Sequence, residues 1–302
     1  MFVFSFQDFA LSFLSVLLEG LPFVLLGTLI SGFIDEFLPP GKMEQWLPRN
    51  RLGATVLSGF LGLIFPMCEC GVVPVIRRLL RKGLPLSCAV TYMLAAPIVS
   101  PVVLLSTYVA FKGQDPMWVT SLRLVMGYVV ALCVGLVVLR LRPEQVLKPG
   151  VLSISGHHHH HHAPMGWHHR LRRALGVSAH DFTDVMFFLV LGAAMASLFN
   201  TGFDHSQMER LASGVVTPIL TLMGAAFVFS LCSTSDAFIA ASFFSFPIFA
   251  KLAFLVFGPV ADLKLVALYA TVFQKRFIAG MILGSGLLVL VLCRQLAEVL
   301  AW

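Results

Sequence analysis

Between residues 83 and 111 the chain contains no Asp, Glu, Lys or Arg. The same holds for 20–34, 52–68, 124–139, 185–203, 211–235 and 277–293, and 237–274 carries only Lys251, Asp262 and Lys264. A helix that crosses the hydrocarbon core of a bilayer needs about 20 apolar residues, so runs of this length leave few folds open. Only 12% of the 302 residues are charged, where soluble domains average about a quarter. With 58% hydrophobic residues and 27 Phe, there is too little polar surface to cover a soluble fold. A cytosolic enzyme, a secreted disulfide scaffold, a nucleic-acid-binding domain and a disordered chain are thereby excluded. The net charge of +6 is no nucleic-acid footprint, because the basic residues sit in short gaps between apolar runs. The composition predicts an all-α polytopic membrane protein whose surroundings are the lipid bilayer.

Eight hydrophobic segments are expected, at 8–34, 52–80, 84–111, 117–140, 180–200, 212–250, 252–274 and 276–300. The N-terminus has no basic region ahead of its apolar run and no small-residue cleavage site, so no removable signal peptide is expected. There is no G-x-x-x-x-G-K-[ST] loop, so transport would draw on an ion gradient, the membrane potential or another subunit rather than bound nucleotide. No enzyme chemistry and no cofactor are predicted.

Two segments are broken. Pro66-Met67-Cys68-Glu69-Cys70-Gly71 and Pro74 interrupt 52–80, and Cys232-Ser233-Thr234-Ser235-Asp236 interrupts 212–250. Irregular backbone survives at membrane depth only where it is buried in protein or lines a wet cavity. The breaks are related by a shift of 162 residues, which puts Cys70 on Cys232, Pro85 on Pro247, Pro97 on Pro259, Phe111 on Phe273 and Gly62 on Gly224. The register predicts two repeats of four segments, 1–140 and 180–302, joined by a basic, His-rich cytoplasmic loop at 141–179. Matched broken segments are where transporters of this plan hold their substrate. If both breaks are re-entrant hairpins, the loops at 34–52, 77–83, 140–179 and 274–276 share one side and hold 15 of the basic residues. The other side then holds Lys112, Arg210, Lys251 and Arg294. This polarisation favours the re-entrant arrangement over eight full spans.

Cys68 and Cys70 can converge on one soft centre, with Cys232 as a third sulfur from the matched position; thiolates select monovalent copper, zinc or trivalent arsenic. Cys88, Cys133 and Cys293 sit in uninterrupted apolar helix and read as filler. Glu69 and Asp236 are intramembrane acids, fitted to carry protons or bind cations, or to cap half-helices. Ser233, Thr234 and Ser235 offer hydroxyls to a pathway or to freed backbone groups. Pro97 with Ser100, and Pro259 with Asp262, mark a second pair of matched breaks and complete the expected substrate-binding set. Arg123, Asp262 and Lys264 are expected in ion pairs or near interfaces, and Glu19 stands 162 residues before Asp181. The run His157, His158, His159, His160, His161, His162 is either a low-complexity linker or a metal-binding element, since imidazoles take zinc, nickel and copper.

The run Phe65-Pro66-Met67-Cys68-Glu69-Cys70-Gly71-Val72-Val73-Pro74, with Arg81-Lys82-Gly83-Leu84-Pro85 and Leu94-Ala95-Ala96-Pro97-Ile98-Val99-Ser100-Pro101, resembles the bacterial YraQ-type predicted permeases. So do Cys232-Ser233-Thr234-Ser235-Asp236-Ala237-Phe238 and 252–259, and both runs are similar to the ArsP organoarsenical efflux permeases. Ser100 departs from the Asn found in many relatives. The resemblance implies a multi-pass permease of the bacterial inner membrane and, for ArsP members, export of trivalent arsenicals through cysteine thiols. Two other functions stay open at this point: a channel or carrier for another small ion or molecule, or a copper or zinc efflux permease. A membrane partner of a redox or metal-handling protein is a third class, and homo-oligomerisation is likewise open.

Overall fold

Prolines stand where helices begin. Pro85 and Pro247 occupy N-cap positions, and Pro101, Pro116 and Pro143 occupy the first turn. There the fixed φ is already helical and the missing N–H is one that the first turn leaves unpaired anyway. The computed structural model of the chain describes residues 6–39, 48, 50–65, 67–149, 167–202 and 214–300. Its helices are α1 (Phe6–Phe37), α2 (Arg51–Gly59), α3 (Leu61–Ile64), α4 (Glu69–Arg81), α5 (Leu86–Val99), α6 (Pro101–Ala110), α7 (Pro116–Val138), α8 (Pro143–Val146), α9 (Trp167–Gly202), α10 (Val216–Phe229), α11 (Asp236–Ser242), α12 (Ile248–Phe257), α13 (Leu263–Tyr269) and α14 (Lys275–Leu300). Among the described residues there is no β-strand, only an isolated antiparallel bridge between Leu147 and Phe273.

Five stretches are long and apolar enough to cross a membrane: Phe6–Phe37, Leu86–Ala110, Pro116–Val138, Trp167–Met195 and Lys275–Val299. The outside of the molecule is apolar. Leu283, Leu287 and Val137 are 73%, 64% and 61% exposed. The inside holds charge, with Arg123, Glu69, Asp236, Asp262 and Lys264 all buried. That inversion fits hydrocarbon surroundings, and the chain is a multi-pass membrane protein. At its centre lie α5 and α12, which are apolar on every side. Every residue of α5 after Leu86 is buried, as is α12 from Ala250 to Phe257.

Four segment boundaries differ from expectation. The segment at 52–80 is three helices, α2, α3 and α4. The long segment at 212–250 divides into α10, α11 and the start of α12, with the break over 230–235. The segment at 252–274 is not continuous, since α12 stops at Phe257 and α13 begins after Asp262, whose side chain accepts the N–H of Leu265 at 2.6 Å. The fifth segment starts at Trp167 rather than 180, inside the stretch expected to be loop. Its first charged turns find partners on α1. Arg170 pairs with Glu36 at 3.2 Å and lies 4.7 Å over the Phe37 ring, while Trp167 packs against the same ring at a tilt of 47°. Sequence alone reads those charges as loop because the partners lie more than a hundred residues away.

Candidate functional site

The first break is shaped by its glycines. Gly71 lets α4 press against α1: a Cβ on Gly71 would stand 2.8 Å from Phe23 O, and one on Gly27 would stand 2.5 Å from Gly71 O. Backbone contact of this kind is open only to small residues. Cys68 is the N-cap of α4, Glu69 and Cys70 form its first turn, and all three are buried. At the other end Gly83 takes φ +97°, and Leu84 N–H returns to Leu79 O at 2.9 Å, closing the helix with a left-handed cap.

The second break is shaped by Ser230. It closes α10 at φ +48°, a left-handed conformation that a residue with a Cβ adopts at a cost of about 1–2 kcal/mol. Two contacts fix it there. Its hydroxyl accepts Leu263 N–H at 3.0 Å, and its carbonyl accepts Lys264 Nζ at 2.9 Å. The chain then turns back through Cys232, whose carbonyl accepts the N–H groups of Ser235 at 3.0 Å and Asp236 at 2.9 Å.

These breaks meet. The thiol of Cys68 is a neighbour of the thiols of Cys232 and Cys70. No disulfide joins them. Beside the thiols runs a buried polar chain. Lys264 Nζ contacts Asp262 Oδ2 at 3.5 Å and Glu69 Oε1 at 3.2 Å, and also donates to Leu231 O at 3.2 Å. Ser233 Oγ donates to Glu69 Oε2 at 2.8 Å. Arg123 Nη2 donates to Ser233 O at 3.1 Å and Asp236 Oδ2 at 2.9 Å, while its Nη1 donates to Thr107 Oγ1 at 2.7 Å. Glu19 of α1 accepts Thr234 Oγ1 at 3.0 Å and Ser235 Oγ at 2.9 Å. Chemically, the arrangement offers soft sulfur ligands next to alternating fixed charges, buried except at Glu19, Thr234 and Ser235, which are partly exposed.

Of the twelve expected substrate-binding residues, Cys68, Cys70, Cys232, Glu69, Ser233, Asp236 and Asp262 belong to this cluster, and Thr234 and Ser235 join it through Glu19. Asp236 is the first residue of α11 but does not cap it; one oxygen faces Arg123, and Oδ1 is buried without a hydrogen-bond partner among the described residues. Pro97 and Ser100 form the joint between α5 and α6, and Pro259 lies in the turn between α12 and α13. His157 to His162 lie outside the described residues. The three thiols are neighbours around Cys68 but are not a preformed metal centre; among the described residues no three His, Cys, Asp or Glu side chains are grouped to hold a metal ion.

Arg123, Lys264 and Glu19 are members that the sequence reading ranked too low. The signal was available in principle. An acid buried in a membrane needs a counter-charge, and Arg123 and Lys264 are basic residues that fall well inside apolar segments.

A second cluster ties α1, α4 and α9. Arg78 grips Asp181 with Nη2 to Oδ1 at 2.9 Å and Nε to Oδ2 at 3.2 Å, and its Nη1 reaches Asp35 at 3.3 Å. Ser31 Oγ donates to Asp181 Oδ2 at 2.9 Å. Next to it, a cavity of about 240 Å³ opens among Pro74, Arg77, Asp181, Asp184, Phe188 and Thr271.

Comparison with known proteins places this geometry in company. A family model labelled ArsP_1 and described as a predicted permease matches residues 5–294. The UPF0718 protein YcgR of Bacillus subtilis is 39% identical over 277 residues, covering 91% of this chain and 92% of that protein. A Streptococcus mutans protein, named for its proposed place as a subunit of a two-component membrane permease complex, is 33% identical over 283 residues, or 93% of this chain and 92% of its own. The UPF0718 protein MJ0584 of Methanocaldococcus jannaschii is 28% identical over 94 residues, covering 31% of this chain and 26% of that protein. No solved structure matches.

Proposed function

The chain belongs to the ArsP_1 family of predicted permeases, and from that premise we propose that it exports a small thiophilic solute, a trivalent arsenical first among them, across a bacterial inner membrane. The observation that carries this reading is the meeting of Cys68, Cys70 and Cys232 at two broken segments beside a buried polar chain. Trivalent arsenic bearing hydroxyl groups exchanges them for thiols without redox change. Each step forms an As–S bond and breaks an As–O bond, and the thiol proton leaves in the water released. Three-coordinate arsenic is pyramidal, so two or three sulfurs approaching from one side suit it. Cys70 need only close toward the other two.

The repeat architecture is part of the proposal. Shifting α1 by 162 residues gives 168–199, within Trp167–Gly202. The same shift carries Pro85, the N-cap of α5, onto Pro247, the N-cap of α12. It carries Ser100, the N-cap of α6, onto Asp262, the N-cap of α13. These coincidences support two halves related by inversion, with re-entrant breaks, the first at 1–140 and the second beginning near 168, ahead of the expected 180. The loops are also joined as that topology requires. Lys82 Nζ donates to Asp35 O at 2.6 Å, and Lys148 N–H to Val272 O at 3.0 Å, on the basic, cytoplasmic side. On the other side Lys251 Nζ donates to Gln114 Oε1 at 2.8 Å. The 240 Å³ cavity beside Asp181 lies on the basic side and fits an access route.

The test is a toxicity panel in an arsenical-sensitive bacterial host. Raised tolerance to trivalent arsenicals, with no change toward copper or zinc, is the expected result. Tolerance to copper or zinc alone would favour a metal exporter. No change with any thiophilic toxicant would sink the thiol-site reading.

A further inference from the structure

Each break carries one acid, and the cation facing that acid comes from far away in the chain. Glu69 of the first break meets Lys264 of α13, and Asp236 of the second meets Arg123 of α7. All four side chains are at most 4% exposed. The pairing does more than neutralise. The stretch 230–235 has left the helix, and its carbonyls need donors that a membrane interior does not supply. Lys264 Nζ takes the carbonyls of Ser230 and Leu231, and Arg123 Nη2 takes that of Ser233. The backbone on both sides of Cys232 is thus held by two cations. Lys264 also holds the carboxylate of Glu69, the residue between Cys68 and Cys70. Ser233 closes the loop by donating to that same carboxylate.

We propose that Arg123 and Lys264 are positioning residues for the thiol site: through the carbonyls of Ser230, Leu231 and Ser233 and the carboxylate of Glu69, they set the distance between Cys232 and the Cys68–Cys70 pair. The proposal rests on reading these thiols as the substrate ligands. Sulfur sits at roughly 2.3 Å from a soft centre, so a shift of half an ångström in one break spoils a shared site. Removing groups that orient ligands typically weakens binding by 10–100-fold. Among the described residues Lys264 and Arg123 form no hydrogen bond to a sulfur, and Lys264 reaches Cys70 and Cys232 only as a nearby charge, which Lys264→Arg preserves.

The experiment uses the full chain, purified in detergent, with Cys88, Cys133 and Cys293 replaced by Ser. Phenylarsine oxide, which forms two As–S bonds and releases one water, is the probe, and the readout is protection of two of the remaining three cysteines, Cys232 among them, from maleimide alkylation after transfer to SDS, counted by intact mass and located by peptide mass. In this parent, protection is expected near one equivalent of probe. Lys264→Met and Arg123→Met are each expected to need at least about tenfold more probe, and Lys264→Arg, which keeps the charge, is expected to stay close to the parent. If either Met variant fails to fold, the paired variants Lys264→Met/Glu69→Gln/Asp262→Asn and Arg123→Met/Asp236→Asn remove the orphaned charges. They are expected to fold as monodisperse protein and still lose protection. Folded Met or paired variants that protect like the parent would overturn the positioning role. A parent that phenylarsine oxide never protects would instead overturn the thiol-site reading beneath it.

Discussion

Arg123 on α7 and Asp236 on α11 form a 2.9 Å ion pair with the guanidinium wholly buried and the carboxylate 4% exposed. A pair this deep is costly to assemble and more costly to break, because deleting one partner leaves the other charged and dry. Arg123→Met alone should therefore destabilise the protein by about 3–5 kcal/mol. Adding Asp236→Leu should restore much of the loss. Thermal unfolding in detergent checks both, and a double variant no more stable than the single one would contradict the expectation.

The cysteines divide into two groups. Cys68, Cys70 and Cys232 meet at the breaks, while Cys88 and Cys293 are buried within helices and Cys133 lies partly buried on α7. Ser at any of the first three should abolish arsenical tolerance, whereas Ser at any of the last three should leave it intact. If all six variants behave alike in the same host, sulfur is packing and the transport site lies at the carboxylates.

Gly27 and Gly71 make the contact between α1 and α4, and neither has room for a methyl group. Ala at either position should cost about 1–3 kcal/mol through overpacking, and it should also disturb the start of α4, where the thiols sit. Gly176 faces open space on α9, so Ala there should be neutral or stabilising by up to about 1 kcal/mol. Unfolding midpoints of the three variants test the contrast directly.

Cysteine-accessibility labelling tests the topology. Cysteines introduced at Arg142 and Lys275 should react from the cytoplasmic face, and those at Lys112 and Phe244 from the opposite face. All four positions are exposed. Labelling of Arg142→Cys and Lys275→Cys from opposite faces would rule out the re-entrant arrangement in favour of eight full spans.

Much of the fold was legible because apolar runs, prolines and intramembrane acids are local signals. The breaks at Cys68 and Cys232, and the helix starts at Pro85, Pro101 and Pro247, follow from residue type alone. What the sequence hid is long-range. Glu69 and Lys264 stand 195 residues apart, and Arg78 and Asp181 stand 103 apart, so spacing carries no trace of either pair. The early start of α9 was hidden for the same reason, its charged first turns being held by Glu36 and Phe37. Ser230 was hidden differently. A serine gives no local hint of a left-handed backbone, and the long-range contacts from Leu263 and Lys264 help hold it there.

The bridge between Leu147 and Phe273 fastens the chain just before residues 149–166, and the packing of Trp167 against Phe37 fastens it just after. Around Leu147, Gln274 N–H reaches Val146 O at 2.9 Å, and the side-chain amide of Gln274 adds bonds to the carbonyls of Leu147 and Glu144. The covalent connection between these anchors is therefore mechanically redundant: either end stays moored if the link is cut. Two polypeptides ending and beginning within 150–166 and produced in one cell should assemble into a working permease.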